Sequence, residues 1–234
     1  MNTTPALKLK RISSAIVLAA LTSWGGQACA HMVWVERDGT APIARAYFGE
    51  WAEDVREKAG GYLDMIKGLQ AFGTDLGKAY VLTRKNDHLE IATSGSGDVR
   101  LVEALLPKED KAKGGKSRTV FHAKAGRTET VGKLDFEIVP TAPNANTFVL
   151  TLRGQPVPKT EVTVFGPPKW SKVLHTDAEG RFSITTPWKG RYVIETAHQD
   201  TTAGEAAGAA YDRSRHVGTL SFEVTEGLPW APAN

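Results

Sequence analysis

Cysteine is nearly absent from this sequence, since Cys29 is the only one among its 234 residues. A chain with one thiol cannot form an internal disulfide, and cysteine-rich metal sites are excluded. The sequence also lacks a Gly-x-Ser-x-Gly elbow, a His-Glu-x-x-His pair, a P-loop lysine motif and a Rossmann glycine fingerprint. Because these catalytic signatures are missing, we expect a protein that is not an enzyme.

The first thirty residues predict a cleaved secretory signal peptide. They contain a short basic region, an apolar run and a small-x-small site, which are Lys8 to Arg11, Ala15 to Leu21, and Ala28-Cys29-Ala30. The apolar run is far shorter than the roughly 20 residues of a membrane span. We therefore expect cleavage after Ala30 and export to the bacterial periplasm, with no transmembrane segment left. A lipoprotein acylated at Cys29 is the weaker alternative.

Charge gives no sign of a polyanionic partner. The whole chain has 29 basic and 26 acidic residues, and the first thirty residues hold three of the basic ones and none of the acidic ones. The exported chain therefore carries 26 of each and is formally neutral. We expect no binding to nucleic acid or to an anionic membrane surface.

Short apolar and β-branched segments separated by Gly, Pro, Asn and Asp predict strands along most of the exported chain. The pattern changes between Glu50 and Phe72, where Trp51, Val55, Ala59, Leu63 and Ile66 recur at helical spacing. We predict an all-β fold with a short helical insertion in its first half, and the regularly spaced short strands after residue 146 indicate a β-sandwich there.

The proline- and asparagine-rich stretch from Pro140 to Asn146 predicts a linker. The predicted organisation is a signal peptide at 1–30, an N-terminal β domain at 31–145, a β-sandwich domain at 146–226 and a tail at 227–234.

His31 is the sharpest candidate for metal chemistry, because cleavage after Ala30 would place a free α-amine and an imidazole on one residue. These two nitrogens can chelate one ion, since a metal near neutral pH can displace the proton of an α-amine. Another imidazole would complete a set suited to Cu(II) and tolerable to Ni(II), Co(II) or Zn(II). The alternative is that His31 merely follows the cleavage site.

Other histidines could supply the missing ligand. His198 and His216 are expected near strand ends, where loops gather, and we predict both as metal ligands together with His31. Whether His122 or His175 joins the site stays open, and His88 is expected at the surface. Solvated faces and charge at a helix start are the preferred explanation for four carboxylates that could otherwise add oxygen ligands, which are Glu36, Glu50, Asp54 and Asp64.

Two stretches resemble known families. The segment from "FVLTLRGQPVPKTEVTVFGP" through "HTDAEGRFSITTPWKGRYVIETAHQD" resembles transthyretin-like and carboxypeptidase-regulatory sandwich modules, which are usually not catalytic. The whole exported chain, through "AHMVWVE", "AYFGEWAE", "AGRTET", "LDFEIVPTAPNANTF" and "YDRSRHVGTLSFEV", resembles the NikM-like periplasmic proteins, which are described as nickel-uptake accessory proteins or as a domain of unknown function. Together the two resemblances imply two β-sandwich domains, immunoglobulin-like or transthyretin-like, with the transthyretin-like one at 146–226. The resemblance to NikM-like proteins also implies a histidine directly after the signal, and histidines where His198 and His216 stand.

Three functions compete at this stage. The first is a non-catalytic periplasmic protein that binds a divalent metal and assists uptake or handling of nickel or cobalt, or of copper or iron. The second is a metal-free module that docks on a membrane transporter or an outer-membrane receptor. The third is a copper oxidase of the polysaccharide monooxygenase type, which also begins with a copper-chelating histidine.

Overall fold

A computed structural model describes residues 1, 31–167 and 170–229. The predicted signal segment, apart from Met1, and the last residues of the predicted tail lie outside these ranges. The first strands are β1 (Met32–Arg37), β2 (Ile43–Glu50), β3 (Val55–Arg56), β4 (Gln70–Phe72), β5 (Val81–Arg84), β6 (Leu89–Ala92), β7 (Val99–Ala104), β8 (Lys108–Glu109) and β9 (Lys116–Ala125). They are followed by β10 (Phe136–Pro140), β11 (Thr147–Leu152), β12 (Gln155–Pro156), β13 (Glu161–Phe165), β14 (Ser171–His175), β15 (Arg181–Ser183), β16 (Gly190–Asp200), β17 (Gly204–Ala206), β18 (Ala209–Tyr211) and β19 (Arg213–Val224).

These strands form three layers. The central sheet has the order β14-β13-β16-β19-β9-β7-β4, with β8 paired to β9. The front sheet has the order β1-β2-β6-β5, with β3 paired to β2, and the back sheet joins β10, β11, β12 and β15. A separate hairpin is formed by β17 and β18. The predicted all-β sandwich fold is confirmed.

Each outer sheet buries one face of the central sheet. The front core lies between the front and central sheets and contains Trp34, Phe48, Phe121 and Val217 among its buried side chains. The back core lies on the other side and contains Phe136, Phe148, Tyr192 and Leu220. Successive side chains of a strand point to opposite faces, so neighbouring residues of β9, β16 and β19 serve different cores.

Strand β19 occupies the middle of the central sheet. It pairs antiparallel with β16, from Gly190 opposite Val224 to Asp200 opposite Ser214, and it pairs parallel with β9. The hydroxyl of Thr219 donates to the carbonyl of Val33 at 2.8 Å, and the hydroxyl of Ser221 donates to the carbonyl of Val35. These side-chain bonds tie β1 of the front sheet to β19.

The segment predicted as a linker is the turn between β10 and β11, which pair with each other in the back sheet. The central sheet takes β9 from before residue 145 and β13, β16 and β19 from after it. The sheet is therefore continuous across the predicted domain boundary, and the boundary itself stays a prediction.

The helical insertion predicted between Glu50 and Phe72 is not found. The described residues there form β3, turns and one turn of 3-10 helix, Tyr62–Met65. Backbone geometry explains the difference, because Asp54 and Gly60 adopt positive φ values of 59° and 81°, which an α-helix cannot contain. Leu63 and Ile66 are nevertheless fully buried. No helix among the described residues is long and apolar enough to cross a membrane.

Two strands extend past His198 and His216, which the sequence places near strand ends. β16 continues through Asp200 and β19 begins at Arg213, so both histidines lie inside the ladder. The stretch between these strands contains the hairpin of β17 and β18. The polar residues of these extensions hide the apolar alternation on which strand prediction depends.

Four charged side chains are buried together between the central and back sheets. Arg100 and Lys124, which are opposite each other on β7 and β9, both contact Glu137 Oε1, at 3.0 Å and 3.1 Å. Lys124 also contacts Asp98 at 3.3 Å, and Glu137 Oε2 accepts the backbone N–H groups of Lys133 and Leu134. Because each carboxylate has cationic and backbone partners, we infer that this cluster stabilises the fold.

Replacing Glu137 with alanine is expected to lower the free energy of unfolding by about 3–5 kcal/mol, since two buried cations lose a partner. Urea denaturation at neutral pH measures the change. Lys78→Ala is the matched control, because Lys78 pairs with Asp75 at 3.9 Å on an exposed turn, where an ion pair contributes little. Equal losses in the two variants would contradict the structural role of the network.

Gly218 permits the back core to close on β19. A Cβ atom at this position would lie 2.9 Å from two ring carbons of the buried Phe136. Gly218→Ala should therefore lower the free energy of unfolding by about 1–3 kcal/mol through overpacking. The control is Gly77→Ala in an exposed turn, where the added methyl would meet a movable side-chain oxygen of Asp75. An unchanged urea midpoint for Gly218→Ala would show that Phe136 can relax.

Candidate functional site

His31 stands immediately before β1, at the edge of the front sheet. Because Met32 pairs with Gly49, His31 comes beside the end of β2, where Glu50 closes the strand. Glu57 follows β3 and is held there by its N–H, which donates to the carbonyl of Phe48 at 2.8 Å. The β1–β2–β3 pairing thus brings one histidine and two glutamates together.

The two carboxylates contact opposite nitrogens of the His31 ring. Nε2 lies 2.6 Å from Glu57 Oε1, a short hydrogen bond. Nδ1 lies 3.4 Å from Glu50 Oε1. When Nε2 carries the proton and donates it to Glu57, Nδ1 of the neutral ring keeps a lone pair directed to the side of Glu50.

Aromatic rings flank the same imidazole. The His31 ring centroid lies 5.1 Å from that of Phe48 and 5.5 Å from that of Tyr62. The imidazole is thus fixed by two rings and two carboxylates, yet 31 % of the His31 side chain is exposed. An ion could therefore reach the ring from solvent.

Glu195 of β16 adds a third acidic group near this site. Burial raises the pKa of Glu195 to about 7, the positive charge of Arg215 lowers it, and the negative charge of Glu50 raises it further. Val193 and Ala197 of the same strand pack in the front core, so alternation places Glu195 on that face of the central sheet as well. This part of the molecule is therefore rich in oxygen donors.

His198 and His216 do not join His31. They are directly opposite each other on β16 and β19, and both rings contact Phe136 of the back core. The His31 ring contacts Phe48, which packs on Phe121 of the front core. The two groups lie on opposite faces of the central sheet, so His198 and His216 cannot complete a site at His31.

The structure instead joins His122 to His216. Their nitrogens, Nε2 and Nδ1, lie 3.0 Å apart, and the side chains are 3 % and 2 % exposed. His122 also packs against the ring of Phe136. This buried pair could not be identified from the sequence, because the two residues are 94 positions apart and meet through the parallel pairing of β9 with β19.

The remaining candidates lie apart from His31. His175 is exposed on β14, whereas His88, predicted at the surface, is half-buried and bonded to Asp87 at 2.7 Å.

Two of the candidate carboxylates have other partners. Glu36 accepts from the Trp34 indole at 3.0 Å and pairs with Arg56. Asp64 accepts the N–H of Gly60. Glu57 was missed, because no spacing in the sequence reveals a contact formed by the β2–β3 turn.

Within residues 31–167 and 170–229, no three His, Cys, Asp or Glu side chains are arranged to hold a metal ion. The geometry at His31 explains this, since Glu50 and Glu57 contact different nitrogens and cannot share one ion with the ring. His31 Nδ1 and Glu50 supply two converging donors. A third donor would have to come from the α-amine that processing would create.

A cleft of about 330 Å³ opens elsewhere on the molecule. Its walls include Trp51 and Phe165, and its polar residues include Glu36 and Arg191. These two are already engaged, because Arg191 pairs with Asp38 at 2.6 Å and Glu36 pairs with Arg56 at 3.2 Å. The cleft therefore presents no uncommitted charge from either residue.

A domain family of unknown function (DUF4198) matches residues 114–200. The matched segment runs from just before β9 to the end of β16 and so contains His122 and His198, whereas His31 and His216 lie outside it. No curated protein sequence matches the chain.

Proposed function

We propose that this protein is exported to the periplasm and binds a divalent transition metal ion at His31, without catalysis, in the uptake or handling of that metal. The observation that carries the proposal is the fixed His31 ring, with Glu57 on Nε2 at 2.6 Å and Glu50 beside Nδ1 at 3.4 Å. These contacts orient the imidazole, while 31 % of the side chain stays exposed.

The donor set would be the α-amine, His31 Nδ1 and a carboxylate oxygen of Glu50. Two nitrogens and one oxygen suit Cu(II), Ni(II), Co(II) and Zn(II), and they suit soft monovalent ions less. His198 and His216 are not part of this site, because they face the back core. The resemblance to NikM-like proteins favours nickel or cobalt as the ion, and a membrane transporter or outer-membrane receptor as the partner.

Glu57 would act as the positioning residue. A histidine that binds a metal through one nitrogen usually donates its other N–H to a carboxylate, which fixes the tautomer and strengthens the ligand. Glu57 occupies that position on Nε2, and the rings of Phe48 and Tyr62 restrict rotation of the imidazole. The site is thus prepared for an ion on the Nδ1 side.

Isothermal titration of the protein exported with its own signal, its first residue verified as His31 by mass spectrometry, tests the proposal. We expect one ion to bind with sub-micromolar affinity, and His31→Ala to abolish binding because the imidazole is lost. A form with one methionine before His31 should also lose tight binding, because the amine becomes an amide. Titrations with Ni(II), Co(II), Cu(II) and Zn(II) would rank the metals.

Unchanged affinity in the methionine-extended form would remove the α-amine from the site. Failure of all four metals to bind the processed protein would contradict the proposal as a whole. That second result would favour the metal-free docking module, and the search would turn to its transporter or receptor.

The two glutamates should contribute separately. Glu57→Ala is expected to weaken metal affinity by about 10–100-fold, the usual effect of removing a residue that orients a ligand. Glu50→Ala should weaken affinity at least as much, because a donor to the ion is lost. Glu53→Ala is the control, since Glu53 is exposed in the neighbouring turn. Equal affinities in all three variants would be inconsistent with this assignment.

A further inference from the structure

The buried His122–His216 pair is independent of the His31 site and lies on the other face of the central sheet. His122 Nε2 and His216 Nδ1 are 3.0 Å apart, the ring centroids are 5.2 Å apart and the rings are inclined by 28°. Two nearly coplanar imidazoles at these separations point their nitrogens directly at each other. This is the geometry of a linear N–H···N hydrogen bond.

A nitrogen–nitrogen separation of 3.0 Å is the distance of a hydrogen bond in which one ring donates and the other accepts. Which ring donates depends on the tautomers of the two histidines. Burial favours the neutral form of both imidazoles, because a buried charge without a partner is costly.

The surroundings offer no compensation for an added proton. Asp200 Oδ2 is the nearest carboxylate oxygen, but it lies 3.8 Å from His216 Nε2 and is already bound by Arg153 at 2.6 Å. His122 Nδ1 and His216 Nε2 are buried and have no hydrogen-bond partner. The charged and titratable groups facing the pair from adjacent elements are Arg118, Asp135, Arg153, His198 and Asp200.

We propose that the hydrogen bond between His122 and His216 is an acid-sensitive latch that holds β9 to β19, and that protonation of the pair opens this part of the central sheet. The first added proton would go to the far nitrogen of the donating ring, His122 Nδ1 or His216 Nε2, and would create a buried cation without a hydrogen-bond partner. A second added proton would leave two N–H donors facing each other at 3.0 Å. The backbone amides at the ends of β16 and β19 that carry the β17–β18 hairpin would then be the first to lose protection from hydrogen exchange.

The direction of the pH effect follows from burial. Burial lowers the pKa of His122 from 6.5 to about 3, with smaller contributions from His216 and Arg118, and burial also lowers the pKa of His216. The opened state therefore binds more protons than the closed state. Stability from the latch is complete above pH 6.5 and is lost as the pH falls from there toward 3.

Hydrogen exchange followed by NMR on the unmodified protein tests the latch, with protection factors corrected for the intrinsic pH dependence of exchange. Amides of β9 near His122 and of β19 near His216 should lose protection about tenfold per pH unit below 6.5 for each proton taken up on opening. Amides of the β10–β11 pair serve as the internal reference and should not change.

A double variant, His122→Leu with His216→Leu, should remove the pH dependence, because both partners become apolar and neither can take up a proton. His175→Gln is the matched control, since it removes an exposed histidine and should leave the pH dependence intact. If the double variant does not fold, NMR of the unmodified protein with nitrogen-labelled histidines tests the latch instead. It measures the scalar coupling across the hydrogen bond and the titration of each ring.

Loss of that coupling together with loss of local protection as the pH falls supports the latch. Titration of either ring near pH 6.5 with protection unchanged would overturn it. The latch would also be overturned by transfer of His216 to a hydrogen bond with Asp200 that leaves the sheet closed.

Discussion

The structure depends most on the position of β19 between β16 and β9. This strand is the last of the described strands, yet it is buried on both faces and supplies side chains to both cores. Its antiparallel pairing with β16 is local, but its parallel pairing with β9 joins residues about 96 positions apart, such as Ser117 and Arg213. Neither outer sheet can be completely covered until β19 is in place, so the two cores are coupled through one ladder.

Much of the fold could be predicted from alternation and turn residues. β1, β13 and β19 contain β-branched and aromatic residues at period two, and glycine or proline follows many of the strands. The helical spacing after Glu50 gave a wrong prediction, because spacing shows which residues are apolar but not whether the backbone can adopt a helix there. Leu63 and Ile66 are core residues as a helix would require, while Gly60 with a φ of 81° prevents the helix.

The candidate site could be predicted only in part, because the sequence does not reveal the pairing register of the strands. The sequence identified His31 and named Glu50 among the candidate oxygen ligands, since both can be read without knowing which strands pair. It grouped His31 with His198 and His216 because strand order and facing residues were unknown. A shift of one residue moves a side chain to the other face of a sheet, so ligand sets assembled from separate strands need the register.

The two histidine groups differ in what they can do because they differ in their place in the ladder. His31 lies at the edge of the front sheet and is partly exposed, so an ion could bind there while the strands keep their pairing. His122 and His216 lie inside the central sheet against Phe136, where a proton would add a charge to a buried site. The same sheet thus separates the proposed metal-binding position at His31 from the buried histidine pair. We expect the two to respond independently, metal occupancy to changes at His31 and local opening to protonation of the pair.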